Sequence, residues 1–126
     1  MRVILDTNAL MMPGQFGIDL FGELGRLLGA FDAVTLRSVI RELEKIARGR
    51  GNDASAARLG LELIRRHASV EERPTLASVD EEVIRAAEEE GGLVVTNDRG
   101  LREALLARGV GVITMRKQRV LEIIRG

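Results

Sequence analysis

The sequence predicts an α/β domain, a parallel sheet with helices on both faces. Three observations carry that prediction. Short apolar runs recur along the chain, and segments with helical spacing separate them. At 126 residues, 45% of them apolar, the chain has the length and the apolar content for one domain with a core. Glycine and proline fall between the periodic segments, at Pro13-Gly14, Gly49 to Gly51, Gly91-Gly92 and Gly109.

Taken in order, Arg2–Asp6 reads as a strand, because Val3-Ile4-Leu5 is too short an apolar run for a helix. Pro13-Gly14 marks a loop. Phe16–Leu28 has Leu20, Phe21, Leu24, Leu27 and Leu28 at helical spacing. Ala33–Leu36 is a second strand, and Ser38 is placed to N-cap a helix through Ala47. Ala54–His67 reads as a helix and Ser69–Glu72 as a weak strand. Ser78-Val79-Asp80-Glu81 matches a capping box and opens a helix to Glu90. Leu93–Thr96 is a strand, Asp98 starts a helix to Arg108, and Val110–Met115 is a strand. Val120–Ile124 reads as a short terminal helix.

The composition excludes several chemistries. There is no cysteine, which removes disulfides, zinc–thiolate sites and thiol catalysis and fits a reducing cytosol. The single histidine, His67, cannot build an imidazole cluster. No apolar run approaches the roughly 20 residues of a membrane span, and no signal-peptide pattern is read. With no Trp or Tyr and three Phe, aromatic platforms for nucleobases are not expected. The 19 basic and 19 acidic residues balance but are sorted along the chain. Glu71–Glu90 has eight acids against two arginines, and Arg116–Gly126 has four basic residues against one acid.

Acids stand where the strands end. Asp6 closes the first strand and Asp98 follows the strand ending at Thr96. In an open parallel sheet, ligands bind beyond the C-terminal strand ends. Asp80 is in register with Val83, Ile84 and Ala87, which places a carboxylate on an apolar helix stripe. Glu42 lies one turn from Ile46, at the border of the face made by Val39, Leu43 and Ile46. Each acid also has a plainer explanation. Asp98 suits a helix N-cap, Asp80 complements a helix dipole, and Glu42 fits a solvated face. Asp6 is the exception, a carboxylate with no evident structural task. Together the four predict an all-oxygen site for Mg²⁺ or Mn²⁺, the usual device for phosphodiester hydrolysis.

The segments "ILDTNAL", "SVIRELEKI", "SVDEEVIRAA" and "LVVTNDRGLREAL" resemble, in order, the four motifs of the PIN-domain family of metal-dependent ribonucleases. The segments "PGQFGIDLFGEL" and "ITMRKQRVLEI" look most like an archaeal branch related to PIN proteins of ribosomal-RNA processing; the chain is also similar to VapC-type toxins. The resemblance implies one PIN-like three-layer domain over 1–126, with a basic C-terminal tail at about 116–126. It implies a sheet of about five strands in the order 3-2-1-4-5. It implies Asp6, Glu42, Asp80 and Asp98 as catalytic, metal-holding acids, with Thr7, Asn8, Thr96 and Asn97 orienting them. The substrate implied is RNA, cut by hydrolysis to leave a 5′-phosphate and a 3′-hydroxyl.

An acidic pocket needs cations nearby to accept phosphate. The candidates are Arg48 and Arg50 in the Gly-rich loop, Arg99 beside Asp98, and Arg116, Lys117 and Arg119 near the end. Partners consistent with the resemblance are RNA, a second copy of the chain, and an antitoxin or ribosome-assembly proteins, in the cytoplasm and without a membrane. A non-catalytic RNA-binding module is the other expectation. A phosphoacceptor receiver domain would want paired acids after the first strand, and a haloacid-dehalogenase-type phosphatase would want Asp-x-Asp. Thr7 and Asn8 stand there instead.

Overall fold

The computed structural model describes residues 1–125. Its elements are β1 (Arg2–Leu5), α1 (Thr7–Phe16), α2 (Leu20–Leu28), β2 (Asp32–Leu36), α3 (Arg37–Ala47), α4 (Asn52–His67), β3 (Ser69–Glu71), α5 (Val79–Glu90), β4 (Leu93–Val95), α6 (Arg99–Ala107), β5 (Val112–Arg116) and β6 (Val120–Ile124). They build one six-stranded sheet in the order β3-β2-β1-β4-β5-β6. The first five strands are mutually parallel, and β6 closes the far edge antiparallel to β5. The predicted order is thus extended by one strand.

The central strands are apolar on both faces because helices cover both. Val3, Ile4, Leu5, Val94, Val95, Val112 and Ile113 are fully buried. α1, α3 and α4 pack together as one group, and α5 and α6 as another. Within the first group α1 and α4 approach closely at glycines. A Cβ on Gly60 would stand 2.5 Å from the Leu10 carbonyl oxygen, and one on Gly14 would stand 2.4 Å from the Ala56 Cα.

Four local expectations are corrected. Pro13-Gly14 is not a loop but lies inside α1, where Pro13 is buried. Proline removes one helical hydrogen bond; packing against α4, not local propensity, holds the helix through it. The periodic stretch from Phe16 is not one helix. Gly17 ends α1 at φ 70°, and Asp19 caps α2 by accepting from the Gly22 N–H at 3.1 Å. Ser38 is not the cap of α3; the helix begins at Arg37, and the buried Ser38 hydroxyl has no partner.

The fourth correction is the C-terminal segment. Val120–Ile124 is a strand rather than a helix, so residues from 116 onward are hairpin rather than tail; Gly126 lies outside the described residues. β-Branched Val120, Ile123 and Ile124 favour a strand, and α2 covers its outer edge. Glu23 Oε1 accepts from the Leu121 N–H and Arg26 donates to the Leu121 carbonyl, both at 2.9 Å. Both backbone groups of an edge residue are thereby satisfied, which blocks pairing with another chain at that residue. Among the described residues no helix is long and apolar enough to cross a membrane.

Candidate functional site

Each of β1 to β4 runs into a segment that carries one acid of the cleft. β1 leads to Asp6, β2 to α3 with Glu42, β3 to α5 with Asp80, and β4 to Asp98. Parallel strands put all four exits on one edge of the sheet. There Asp6, Glu42, Asp80 and Asp98 line an open cleft of about 290 Å³. Thr7, Asn8, Met11, Gln15 and Val79 complete its wall.

Asp6 is the buried member, 4% exposed. It also has the structural task that the sequence did not disclose. Its Oδ1 accepts from the Ala9 N–H at 2.7 Å and so caps α1. The chain turns from strand to helix within one residue, which hid the cap. Burial pushes the Asp6 carboxyl up to about 7. Hydrogen bonds from Thr96 and Ala9 pull it down, and the charges of Asp80 and Asp98 push it up. Asp98 caps α6 in the same manner, its Oδ2 accepting from the Leu101 N–H at 2.8 Å. Asp80, exposed in the first turn of α5, has its carboxyl raised by partial burial, then by Asp98 and Glu42. Glu42, exposed on α3, accepts a hydrogen bond from the Thr7 hydroxyl.

The neutral residues tie these segments together. Asn8 Oδ1 accepts from the Asn97 N–H at 2.8 Å, and Asn97 Oδ1 accepts from the Thr114 hydroxyl at 2.9 Å. The fully buried Thr96 accepts from the Asp98 N–H at 3.1 Å. Thr114 was not singled out in the sequence, nor were Met11, Gln15 and Val79. Asn8, Met11 and Gln15 share one face of α1 at helical spacing, a signal masked by reading Pro13-Gly14 as a loop. Thr114 carries a weaker signal, a hydroxyl near the end of a strand adjacent to β4.

The charged groups facing the cleft are all carboxylates, which suit a hard divalent cation. Asp6 adds a buried carboxylate that no basic side chain neutralises. Among the described residues, however, no three Asp, Glu or His side chains stand close enough to hold a metal ion as placed. The cleft is therefore an open acidic pocket, partly compensated by the positive ends of α1, α5 and α6.

The cations divide into two groups. Arg99 pairs with Glu103 at 3.1 Å and Arg116 with Glu122 at 3.5 Å. Arg48, Arg50, Lys117 and Arg119 are exposed. Gln15 donates to Asp53 Oδ1 at 3.4 Å, which sets the start of α4 beside the cleft. Arg50 lies three residues before Asp53, so their Cα atoms are within about 10 Å.

Comparison with known proteins places these features in context. The profile of a family described as "PIN like domain" matches residues 3–118. Ribonuclease VapC9 of Archaeoglobus fulgidus is 36% identical over 110 residues, covering 86% of this chain and 78% of that protein. Ribonuclease VapC4 of Methanocaldococcus jannaschii is 30% identical over 127 residues, covering 97% and 95%. Among solved structures, the PIN domain endonuclease Utp24 superposes with a TM-score of 0.79 at 23% identity, over 99% of this chain and 92% of that one.

Proposed function

The chain belongs to the PIN-like domain family, and from that premise we infer that it is a divalent-metal-dependent endoribonuclease. The observation that carries the inference is the cleft itself: four carboxylates, each delivered after a successive parallel strand, one of them the buried Asp6. Two relatives named ribonucleases, at 36% and 30% identity, support the choice of RNA. The likeness to Utp24 supports the fold alone.

In this reading Asp6, Glu42, Asp80 and Asp98 hold Mg²⁺ or Mn²⁺. A bound cation supplies positive charge that steadies the phosphoryl oxygens and lowers the pKa of the attacking water. The chain's own residues prepare for it. Asp6 and Asp98 have their positions fixed by capping, each through one carboxylate oxygen. Glu42 and Asp80 are exposed and reorient at little cost to bring their oxygens inward. Thr7 orients Glu42, while Asn8, Thr96 and Asn97 hold the loop that bears Asp98. Arg48, Arg50, Lys117 and Arg119 offer charge to phosphates entering the cleft, with Arg99 and Arg116 joining them on release from their acidic partners.

The VapC designation of both relatives favours a toxin-type ribonuclease, held by a protein antitoxin, as the biological setting over ribosomal-RNA processing. The activity is tested by incubating the protein with RNA in EDTA, Mg²⁺ or Mn²⁺, beside an Asp6→Asn variant. Cleavage that requires the ion, is lost in the variant and leaves 5′-phosphates is the expected result. Equal cleavage in EDTA, or full activity of the variant, overturns it.

A further inference from the structure

Two consecutive non-glycine residues, Lys117 and Gln118, sit in the left-handed region at φ 55° and 56°. They form the tip of the β5–β6 hairpin, closed by the Arg119 N–H on the Arg116 carbonyl at 3.2 Å. Positive φ at both central positions is the pattern for which Asn-Gly is the unstrained sequence. Every other positive-φ residue in the described chain is glycine. The tip is thus the one place where side chains are kept against the backbone's preference, and such strain gathers at functional sites.

The tip also stands at the right edge. β5 is parallel to β4, and β4 to β1, so Arg116 ends its strand on the same side as Asp6 and Asp98. Thr114, two residues before Arg116, bonds Asn97 next to Asp98. Lys117 follows three residues after Thr114, within about 10 Å along the chain. Residues 116–119 are all exposed. Arg116 is paired with Glu122, whereas the side chains of Lys117, Gln118 and Arg119 have no hydrogen-bond or ion-pair partner among the described residues.

We propose that Gln118 is a specificity-determining residue that reads a base edge of single-stranded RNA beside the cut, while Lys117 and Arg119 hold the flanking phosphates. This rests on the ribonuclease reading and deepens it. A primary amide presents a donor and an acceptor side by side, the pattern that base edges complement. An ammonium and a guanidinium on either side suit the backbone, which positions without specifying. The target is single-stranded, because an A-form duplex keeps its major-groove base edges in a deep, narrow groove and is read across its minor groove mostly by shape. No Phe, Trp, Tyr or His lies in β5, β6 or their turn, so hydrogen bonding is the means of base selection available to the tip.

The test uses a randomised single-stranded RNA, with cut sites sequenced, and binding of single-stranded homopolymers to an Asp6→Asn protein. Gln118→Gly relieves the strain and so folds, with an equal or higher melting temperature. The expected wild-type base preference is about tenfold at one position, and Gln118→Gly abolishes it in both cleavage and binding. Lys117→Ala with Arg119→Ala weakens every sequence alike and flattens the salt dependence. Cleavage that continues with the same preference in Gln118→Gly overturns the proposal and leaves the ribonuclease reading intact. A Gln118-dependent binding preference in a protein that cuts no RNA overturns the ribonuclease reading and leaves Gln118 as a reader. No preference in the wild type, in either assay, also overturns the proposal.

Discussion

The side-chain oxygen of Asn8 accepts the backbone N–H of Asn97 at 2.8 Å, across 89 residues of sequence. This bond ties the first turn of α1 to the loop between β4 and α6. Both ends carry an acid of the cleft, Asp6 two residues before Asn8 and Asp98 one residue after Asn97. Asn8→Ala leaves a half-buried N–H without its partner. The expected cost is about 1–2 kcal/mol of stability, read by urea denaturation, with a larger loss of RNA cleavage than of RNA binding. Asn8→Asp keeps an acceptor and should recover most of the stability. If Asn8→Ala matches the wild type in both denaturation and cleavage, the tie positions nothing.

Asp6 sets a pH dependence whose sign follows from its environment. Its carboxyl rises from 3.8 to about 7 on folding, chiefly through burial. The folded state therefore holds the proton more tightly than the unfolded state. Without divalent ions, stability falls as pH rises from about 4 to about 7 and then levels, by roughly 2–4 kcal/mol in all. Asp80 shifts in the same direction and adds to the slope. Glu23 and Glu71 are lowered by Arg26 and Arg2, so their contribution is lost only below about 4.5. Asp6→Asn keeps an oxygen for the Ala9 N–H but carries no charge. It should melt higher than the wild type at pH 8 in EDTA, while cleaving no RNA. A wild-type melting curve that is flat between pH 4 and 7 would contradict the burial of an uncompensated carboxylate.

How much of this was legible from sequence depends on what each feature rests on. Strand and helix order was legible because apolar runs and caps are local, as at Ser78, which does accept from the Glu81 N–H at 3.1 Å. The positions of Asp6, Glu42, Asp80 and Asp98 along the chain were legible too, because parallel topology converts sequence order into a shared edge. Features that rest on tertiary contact were not. α1 continues through Pro13 only because α4 packs on it, and β6 is hidden because its turn uses Lys117 and Gln118 where Gly or Asn would announce a hairpin. The resemblance implies an orienting role for Asn8, but its partner 89 residues away, like the partner of Thr114 17 residues away, is a contact that no local pattern encodes.

The seating of α1 should be as sensitive to Gly60 as to any cleft residue. A Cβ there meets the Leu10 carbonyl oxygen at 2.5 Å and its carbon at 3.2 Å, backbone atoms that cannot swing aside. Gly60→Ala is expected to cost about 1–3 kcal/mol by overpacking, and to lower cleavage by displacing the helix that bears Thr7 and Asn8. Gly25 provides the contrast. It is helical in α2, and a Cβ there meets nothing within 4 Å. Gly25→Ala should gain roughly 0.5–1 kcal/mol through helix propensity and leave cleavage unchanged. Thermal denaturation of the two variants, with opposite signs expected, checks the close approach of α1 and α4.

A divalent ion should stabilise the fold only where Asp6 has lost its proton. Ligation requires the carboxylate, so ion binding competes with the proton that burial favours. At pH 8, Mg²⁺ or Mn²⁺ should raise the melting temperature, approaching about 2.7 kcal/mol of added stability when the ion is present at 100 times its Kd. At pH 5 the same titration should produce little shift, because Asp6 with a pKa of about 7 is protonated there. Glu42→Gln and Asp80→Asn, both at exposed positions that tolerate an amide, should each weaken the response at pH 8 without lowering the melting temperature in EDTA. Calorimetry at the two pH values, with and without the ion, decides the matter. A metal response that is equal at pH 5 and pH 8, or unaltered in both variants, would place the ion somewhere other than this cleft.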